Sequence, residues 1–533
     1  MATLRAGRAA LARGAWAQAR ASFEAALAEE ESAEALEGLS WAAWWLDDVE
    51  ACFDARERAY RGYRAAGDLR GAARMALWLS DDYSEFRRRE AVSGGWFLRA
   101  ARLLEELPPA PEHGWLAVFE AHAALGAGNT DLARRLAAGA RELGRRLGAV
   151  DLEMFAVATE GATLVADGEV AAGMRRLDEA AAAALGGEYE DLRAAGWTCC
   201  YLIAACERVR DFDRAAQWCR EVEAFSRRLD IRFVTGVCQT HYGAVLCWRG
   251  EWDAAERVLE GALEQLTAAR PAWRADAVVR LGELRRRQGR HEEALALFGE
   301  AERHPLAQLG RAELNLARGE AELARAGLER LLRHIPATNP AARAGPVEAL
   351  VRAAAAAGDH AAAAGQARDL RAIAQTIGTA PLLGAACFAE GVVAAVAGDH
   401  AAARDRFDDA TEQFAAAGAP LEAARARLGL ADALRALGRT EAADHEAAAA
   451  RAAFDALGAE ADTRAAQRGP GPLSPRELEV LGLIAEGLGD RAIAERLTLS
   501  EHTVHRHVAN IHAKLRCSSR AAAVALAHRL DLL

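Results

Sequence analysis

The chain has 533 residues and a net charge of −11, and is 52% hydrophobic but only 6% aromatic. Alanine supplies much of the apolar share, and an Ala- and Arg-rich chain with few β-branched runs reads as mostly helical. The acidic balance excludes a protein that coats nucleic acid along its whole length but leaves room for a small basic module.

All but one of the 66 basic residues are arginine, the exception being Lys514. A phosphate loop of the GxxxxGK[ST] kind needs a lysine, so none is expected in residues 1–513, and Schiff-base chemistry has one candidate residue. Six of the nine cysteines lie from Cys199 to Cys247 without a CxxC pair. That spacing suits buried thiols in a reducing compartment better than zinc. The N-terminus has no apolar signal core, and no run approaches the ~18 apolar residues of a membrane span. A cytoplasmic protein with no membrane partner is expected, and no motif calls for a cofactor.

Along the chain one phrase returns: "ARGAWAQARASFEAAL" from Ala12, "WRGEWDAAERVLEGAL" from Trp248, "RQGRHEEALALF" from Arg287 and "VAGDHAAARDRF" from Val396. In each, a helix ends at Gly, one or two polar residues turn the chain, and an Ala-rich helix follows. Gly250, Gly289, Gly319, Gly358, Gly398 and Gly438 recur at helical-hairpin spacing, which marks a solenoid whose units bury their faces against neighbours. With W/Y-type first-helix positions, A-x-x-x-F/L in second helices and a Gly-x-[WHF] turn, residues 1–457 resemble tetratricopeptide repeats. Eleven or twelve helical pairs are expected, the least regular between Gly71 and Gly114; HEAT-like packing is the alternative. All twelve tryptophans precede residue 274. They read first as fillers between helices, and second as the lining of a groove for a peptide or ligand.

"RGPGPLSP" follows, with Pro and Gly alternating at Gly469–Pro472, a linker by composition. Residues 458–472 thus separate the repeat region from a last domain, 473–533. Ser474, Pro475 and Glu477 read as the capping box of a first helix, with Leu478, Leu481 and Ala485 on its apolar face. Gly487 ends it. "DRAIAERL" is a short second helix capped by Asp490, "LTL" a tight turn, Ser500 the cap of a third helix and Ser518 that of a fourth.

The third helix, "EHTVHRHVANIHAKL", holds four histidines. Val504, Val508, Ile511 and Leu515 form one apolar stripe. Projected at ~100° per residue, Arg506 lies opposite that stripe, and His502, Thr503, Ala509 and Asn510 share the exposed face. His505 and His512 sit on one shoulder and His507, expected to be hydrogen-bonded at the core edge, on the other. These histidines do not converge as zinc ligands must. A short helix, a turn and a longer helix with an exposed Arg/Asn/His/Thr face form a helix-turn-helix poised for the major groove.

"LSPRELEVL", "GL…IAERL…LS", "TV…HV…I…KL" and "SSRAAAVALA" run in the order and spacing of LuxR-type helix-turn-helix domains, which 473–533 resembles. The resemblance implies four helices, double-stranded DNA as partner and a homodimer on it. By position it makes His505, Arg506 and Ala509 base readers, matches Thr503, Val504 and Lys514 to the recognition-helix pattern, and pairs Arg476 with Glu477 as a brace. Lys514 and Arg516 belong to a basic end suited to phosphates. Where the family has a hydroxyl before the second helix, this chain has Gly489 and Asp490, placing a carboxylate near the DNA backbone.

The expected protein is all-α: a TPR-like α-solenoid that receives a protein, peptide or small-molecule signal, then a four-helix domain that binds DNA, with no enzymatic role. The alternative is a scaffold whose last domain mediates protein assembly.

Overall fold

The computed structural model describes residues 2–229, 231–266, 270–460, 462–463, 473, 475–515, 517, 519–529 and 532–533. The linker at Gly469–Pro472, the caps Ser474 and Ser518, and Arg516 lie outside them. The described residues are all-α, without a strand, and form two compact units: Met1–Arg286 with Arg290–Ala385, and Arg287–Gly289 with Ala386–Leu533.

Among the described residues, twenty-four helices run from Ala2–Ala12 to Thr440–Leu457, the equivalent of twelve pairs. The turn chemistry is local. At Gly398 (φ +80°) the chain enters the left-handed region, and the Asp399 carboxylate then accepts the Ala402 N–H at 3.0 Å, capping the next helix. Gly358 and Asp359 repeat the device. Three turns manage without glycine: Asp47, Arg88 and Arg210 take positive φ themselves. After two of them, Asp48 and Asp211 cap the following helix.

The A-x-x-x-F signature has a packing reason. Phe23, Phe298 and Phe407, each on a second helix, fit between glycines of the first helices on either side. A Cβ on Gly38 would lie 2.3 Å from the Phe23 ring, and one on Gly310 2.3 Å from that of Phe298. Gly391 and Gly429 flank Phe407 in the same way. The rings are at most 4% exposed, so an alanine at these glycines would cost the overpacking penalty of a filled core.

First helices are generally the more buried: Val150–Ala166 buries 13 of 17 residues, Val170–Gly186 only 7 of 17. Irregularity falls elsewhere than expected. Leu69–Glu85 and Glu90–Leu104 are ordinary helices of 17 and 15 residues. The shortest helix of the repeat region is His291–Glu300, with 10 residues, cut off by the turn that leads into Pro305.

Within the first unit the coil returns on itself. Arg210 pairs with Glu348 at 2.7 Å, Thr379 donates to the Val209 carbonyl at 2.7 Å, and Arg270 donates to Asp47 at 2.7 Å, to the Trp44 carbonyl at 2.9 Å and to Glu85. Arg56 and Asp82 form an ion pair at 2.7 Å with neither side chain exposed.

Candidate DNA-binding surface

The last four helices are Pro475–Ala485, Asp490–Leu497, Glu501–Lys514 and Arg520–Arg529. Their shared core holds Val480, Leu481, Leu483, Ile484, Ile493 and Ala494 from the first two, the stripe Val504, Val508, Ile511 and Leu515 from the third, and Ala523 and Ala527 from the fourth. The stripe is 0–5% exposed, so the orientation of the third helix follows from its apolar period. The first helix turns differently from its expected face. Its buried residues are Glu477, Val480, Leu481, Leu483 and Ile484, Leu478 is half-buried and Ala485 is exposed, because the i, i+3, i+4, i+7 set starts at Glu477.

The turns are built by backbone capping. The Gly487 N–H donates to Ile484 and that of Leu488 to Leu483, with Gly487 at φ +86°. In the tight turn, Thr498 adopts φ +55° and the Leu499 N–H returns to the Ala494 carbonyl at 2.9 Å. A β-branched residue in this region is strained, and the strain sits at the joint between the second and third helices. The Thr503 N–H donates to Ser500 Oγ at 3.1 Å, as its cap, and the two hydroxyls are 2.7 Å apart. For the fourth helix the observed cap is Ser519, which accepts the Ala522 N–H at 3.2 Å.

On the third helix His502, His505, Arg506 and Ala509 are exposed and Thr503 is half-exposed. Asn510 and Lys514 lie on the same helix, with side chains outside the described set. The exposed positions therefore include the predicted base readers. His507 departs from expectation: half-buried, its Nδ1 has no hydrogen-bond partner. His512 is half-buried too, its Nε2 is unpartnered, and burial with the nearby Arg520 lowers its basicity. Among the described residues no three His, Cys, Asp or Glu groups gather as metal ligands.

Two contacts bind the helices together. Arg476 donates to the Leu497 carbonyl at 2.7 Å and pairs with Glu479 at 2.5 Å, bracing the first helix against the end of the second. Asp490 is the first residue of the second helix rather than its cap, which is Gly489. Its carboxylate grips Arg520 of the fourth helix, and its other oxygen is 3.8 Å from His505 Nδ1. Sequence reading missed this bridge; the usable signal was the carboxylate at Asp490 itself, 30 residues before Arg520. On the fourth helix Ala521 and Ala525 are exposed, while Val524 and Leu526 pack partly into the core.

Residues 471–527 match the LuxR family of bacterial regulatory proteins, and residues 237–305 match a tetratricopeptide repeat. The uncharacterized transcriptional regulatory protein YxjL of Bacillus subtilis is 40% identical over 100 residues, covering 19% of this chain and 45% of that protein. The transcriptional regulatory protein LiaR of B. subtilis is 47% identical over 60 residues (11% and 28%). The nitrate/nitrite response regulator NarL of Escherichia coli is 34% identical over 98 residues (18% and 45%). The chain thus spans less than half the length of each of these relatives. No helix among the described residues is long and apolar enough to cross a membrane.

Proposed function

We propose that this chain, which ends in a LuxR-family helix-turn-helix domain and carries tetratricopeptide repeats before it, is a sequence-specific DNA-binding transcriptional regulator whose repeat region receives the signal. The carrying observation is the third helix of the last domain. Its apolar stripe is buried, and the turn after the second helix sets His502, His505, Arg506 and Ala509 outward on one short helix.

In this reading the domains are residues 1–457, the linker 458–472 and the DNA-binding module 473–533. Arg506 reads bases from the middle of the exposed face with His505, Ala509 and Asn510 beside it. His502 and Thr503 lie at the helix start against the backbone. Lys514 and Arg516 neutralise phosphates, which makes affinity fall with salt. The exposed Ala521 and Ala525 give the fourth helix a small-residue face on which two copies meet on DNA. The protein works in the cytoplasm, without catalysis of its own.

The test is selection of bound fragments from the source genome with the full-length protein, followed by titration of the recovered site at several salt concentrations. Recovery of one recurring sequence, bound at least a thousandfold more tightly than random DNA, is expected from the usual range of specificity ratios (~10³–10⁷). Failure to enrich any sequence, with co-purification of a protein through residues 473–533, would replace this reading with a scaffold.

A further inference from the structure

The least satisfied charge in the described structure is Arg193, in the helix Leu192–Arg208. Its side chain is 1% exposed, yet Nε, Nη1 and Nη2 have no hydrogen-bond partner. The nearest carboxylate, Asp191, is 3.7 Å away and already accepts the Arg193 backbone N–H. Rings surround the guanidinium instead: its carbon lies 3.5 Å from the Trp78 centroid, 4.2 Å from Trp41 and 4.6 Å from Trp197. Aromatic faces stabilise the charge but leave the N–H groups without an oxygen acceptor, which buried donors ordinarily find.

The rings do not stop at the cage. Trp78 packs on Trp115 and Phe119, Phe119 on Trp197, and Phe155 on Trp197 and Tyr201, with centroids 5.3–6.3 Å apart. These residues come from first helices of successive pairs, and Trp115, Phe119, Trp197 and Tyr201 are all half-exposed. Trp78 and Phe155 are covered, at 4% and 3% exposed, whereas the other four rings stay partly open beside the buried cation, and partly open aromatic rings with a few polar groups are what ligand sites are lined with. Trp41, the cage wall on the other side, also lines a groove of about 370 Å³ with Glu37, Tyr63 and Arg74. Asp81, three residues beyond Trp78, is half-buried with Oδ2 unpartnered. Burial pushes its carboxyl well above the usual carboxylate range.

We propose that Arg193 is the anion-binding residue of a small-molecule site in the repeat region, and that its ligand is an aromatic carboxylic acid. The ring would stack along the partly open Phe119 and Trp197, and the carboxylate would accept the guanidinium N–H groups in the paired geometry arginine favours. A neutral sugar would leave the cation unpaired. A phosphate dianion would bring two charges to one buried guanidinium. This inference rests on the reading of the repeat region as the receiver of the signal and adds the chemistry of that signal.

The test uses the full-length protein, calorimetric titration and three probes: benzoate, indole-3-acetate and 2-naphthoate, with 2-naphthamide as the uncharged isostere. At least one acid should bind below millimolar concentration, and 2-naphthamide at least tenfold more weakly than 2-naphthoate. Arg193→Met should keep or raise the melting temperature, since it removes a buried charge whose N–H groups make no hydrogen bond, and weaken the acid at least tenfold. Trp197→Leu should weaken acid and amide alike. No binding by any acid up to millimolar concentration, or equal binding of 2-naphthoate and 2-naphthamide, overturns the proposal. The second criterion needs no variant, so it stands even if Arg193→Met does not fold. DNA binding of the same preparation, measured without probe, reports separately on the regulator reading: a chain that finds its operator but ignores all three acids refutes only the ligand.

Discussion

Replacing Asp490 by Asn removes one charge and keeps the shape, and the bridge it breaks has two consequences of opposite sign. Asp490 and Arg520 have side chains 27% and 36% exposed. A pair so open to water is worth about 1 kcal/mol or less, so Asp490→Asn should lower the stability of the last domain by no more than that. At the DNA the sign reverses. A carboxylate roughly 5 Å from a phosphate costs ~0.8 kcal/mol in water, about a fourfold loss of affinity, and it also occupies the cation of Arg520. Asp490→Asn should therefore bind the operator about fourfold more tightly at low salt. If Arg520 then reaches a phosphate, the plot of log affinity against log salt should steepen by about 0.9. Fluorescence anisotropy of a labelled operator across a salt series measures both quantities. Weaker binding at an unchanged slope would refute this reasoning; the bridge would then serve to hold Arg520 and His505 in their binding positions.

Arg506→Ala should leave folding intact, since the residue is exposed, and should cost the operator about 1–3 kcal/mol of base readout; full affinity in a competition titration would show that another face reads DNA. Ala525→Glu, on the exposed side of the fourth helix, should abolish cooperative binding to a two-half-site operator while sparing a single half-site, as band-shift titration would show; Val524 is a poorer probe because it also packs against the core. Burial alone would raise the Glu207 carboxyl, but Arg280 at 2.8 Å and His241 at 2.5 Å hold it down to about 2. With a folded value below the unfolded one, its stabilisation of about 3 kcal/mol is present above pH ~4.5 and lost as pH falls toward ~2; acid unfolding of Glu207→Gln followed by circular dichroism should lose most of the native steepness in that window.

What the sequence disclosed follows from short-range rules. The period of Val504, Val508, Ile511 and Leu515 alone orients the third helix, and Ser500 caps it through one hydroxyl and one N–H. The repeating glycines announce hairpin turns because left-handed backbone is cheapest for them. The failures share a cause, a partner distant in the chain. Asp490 looks like a helix cap until Arg520, 30 residues on, is seen to hold it. Asp47, Arg88 and Arg210 occupy turn positions that propensity reserves for glycine; two are tied to remote segments, Asp47 to Arg270 and Arg210 to Glu348. Arg56 and Arg193 are interior, whereas arginine is ordinarily surface material; Asp82 with Trp41 for the first, and a cage of tryptophans for the second, make an inside place that only the assembled fold provides.

Arg270 changes what kind of object the first unit is. An array whose repeats touch only their neighbours behaves as a row of dominoes: it can start folding anywhere, and it can shed a unit from one end for the loss of a single interface. Arg270 reaches Trp44, Asp47 and Glu85, 185 to 226 residues earlier in the chain. That clasp turns the row into a ring with a latch. Its early and late repeats must both be made before either is fully held, so closure of a very long loop enters the folding barrier. Trimming repeats from the front would take away the Trp44, Asp47 and Glu85 acceptors of Arg270 and loosen the coil at a point 185 residues or more further along the chain.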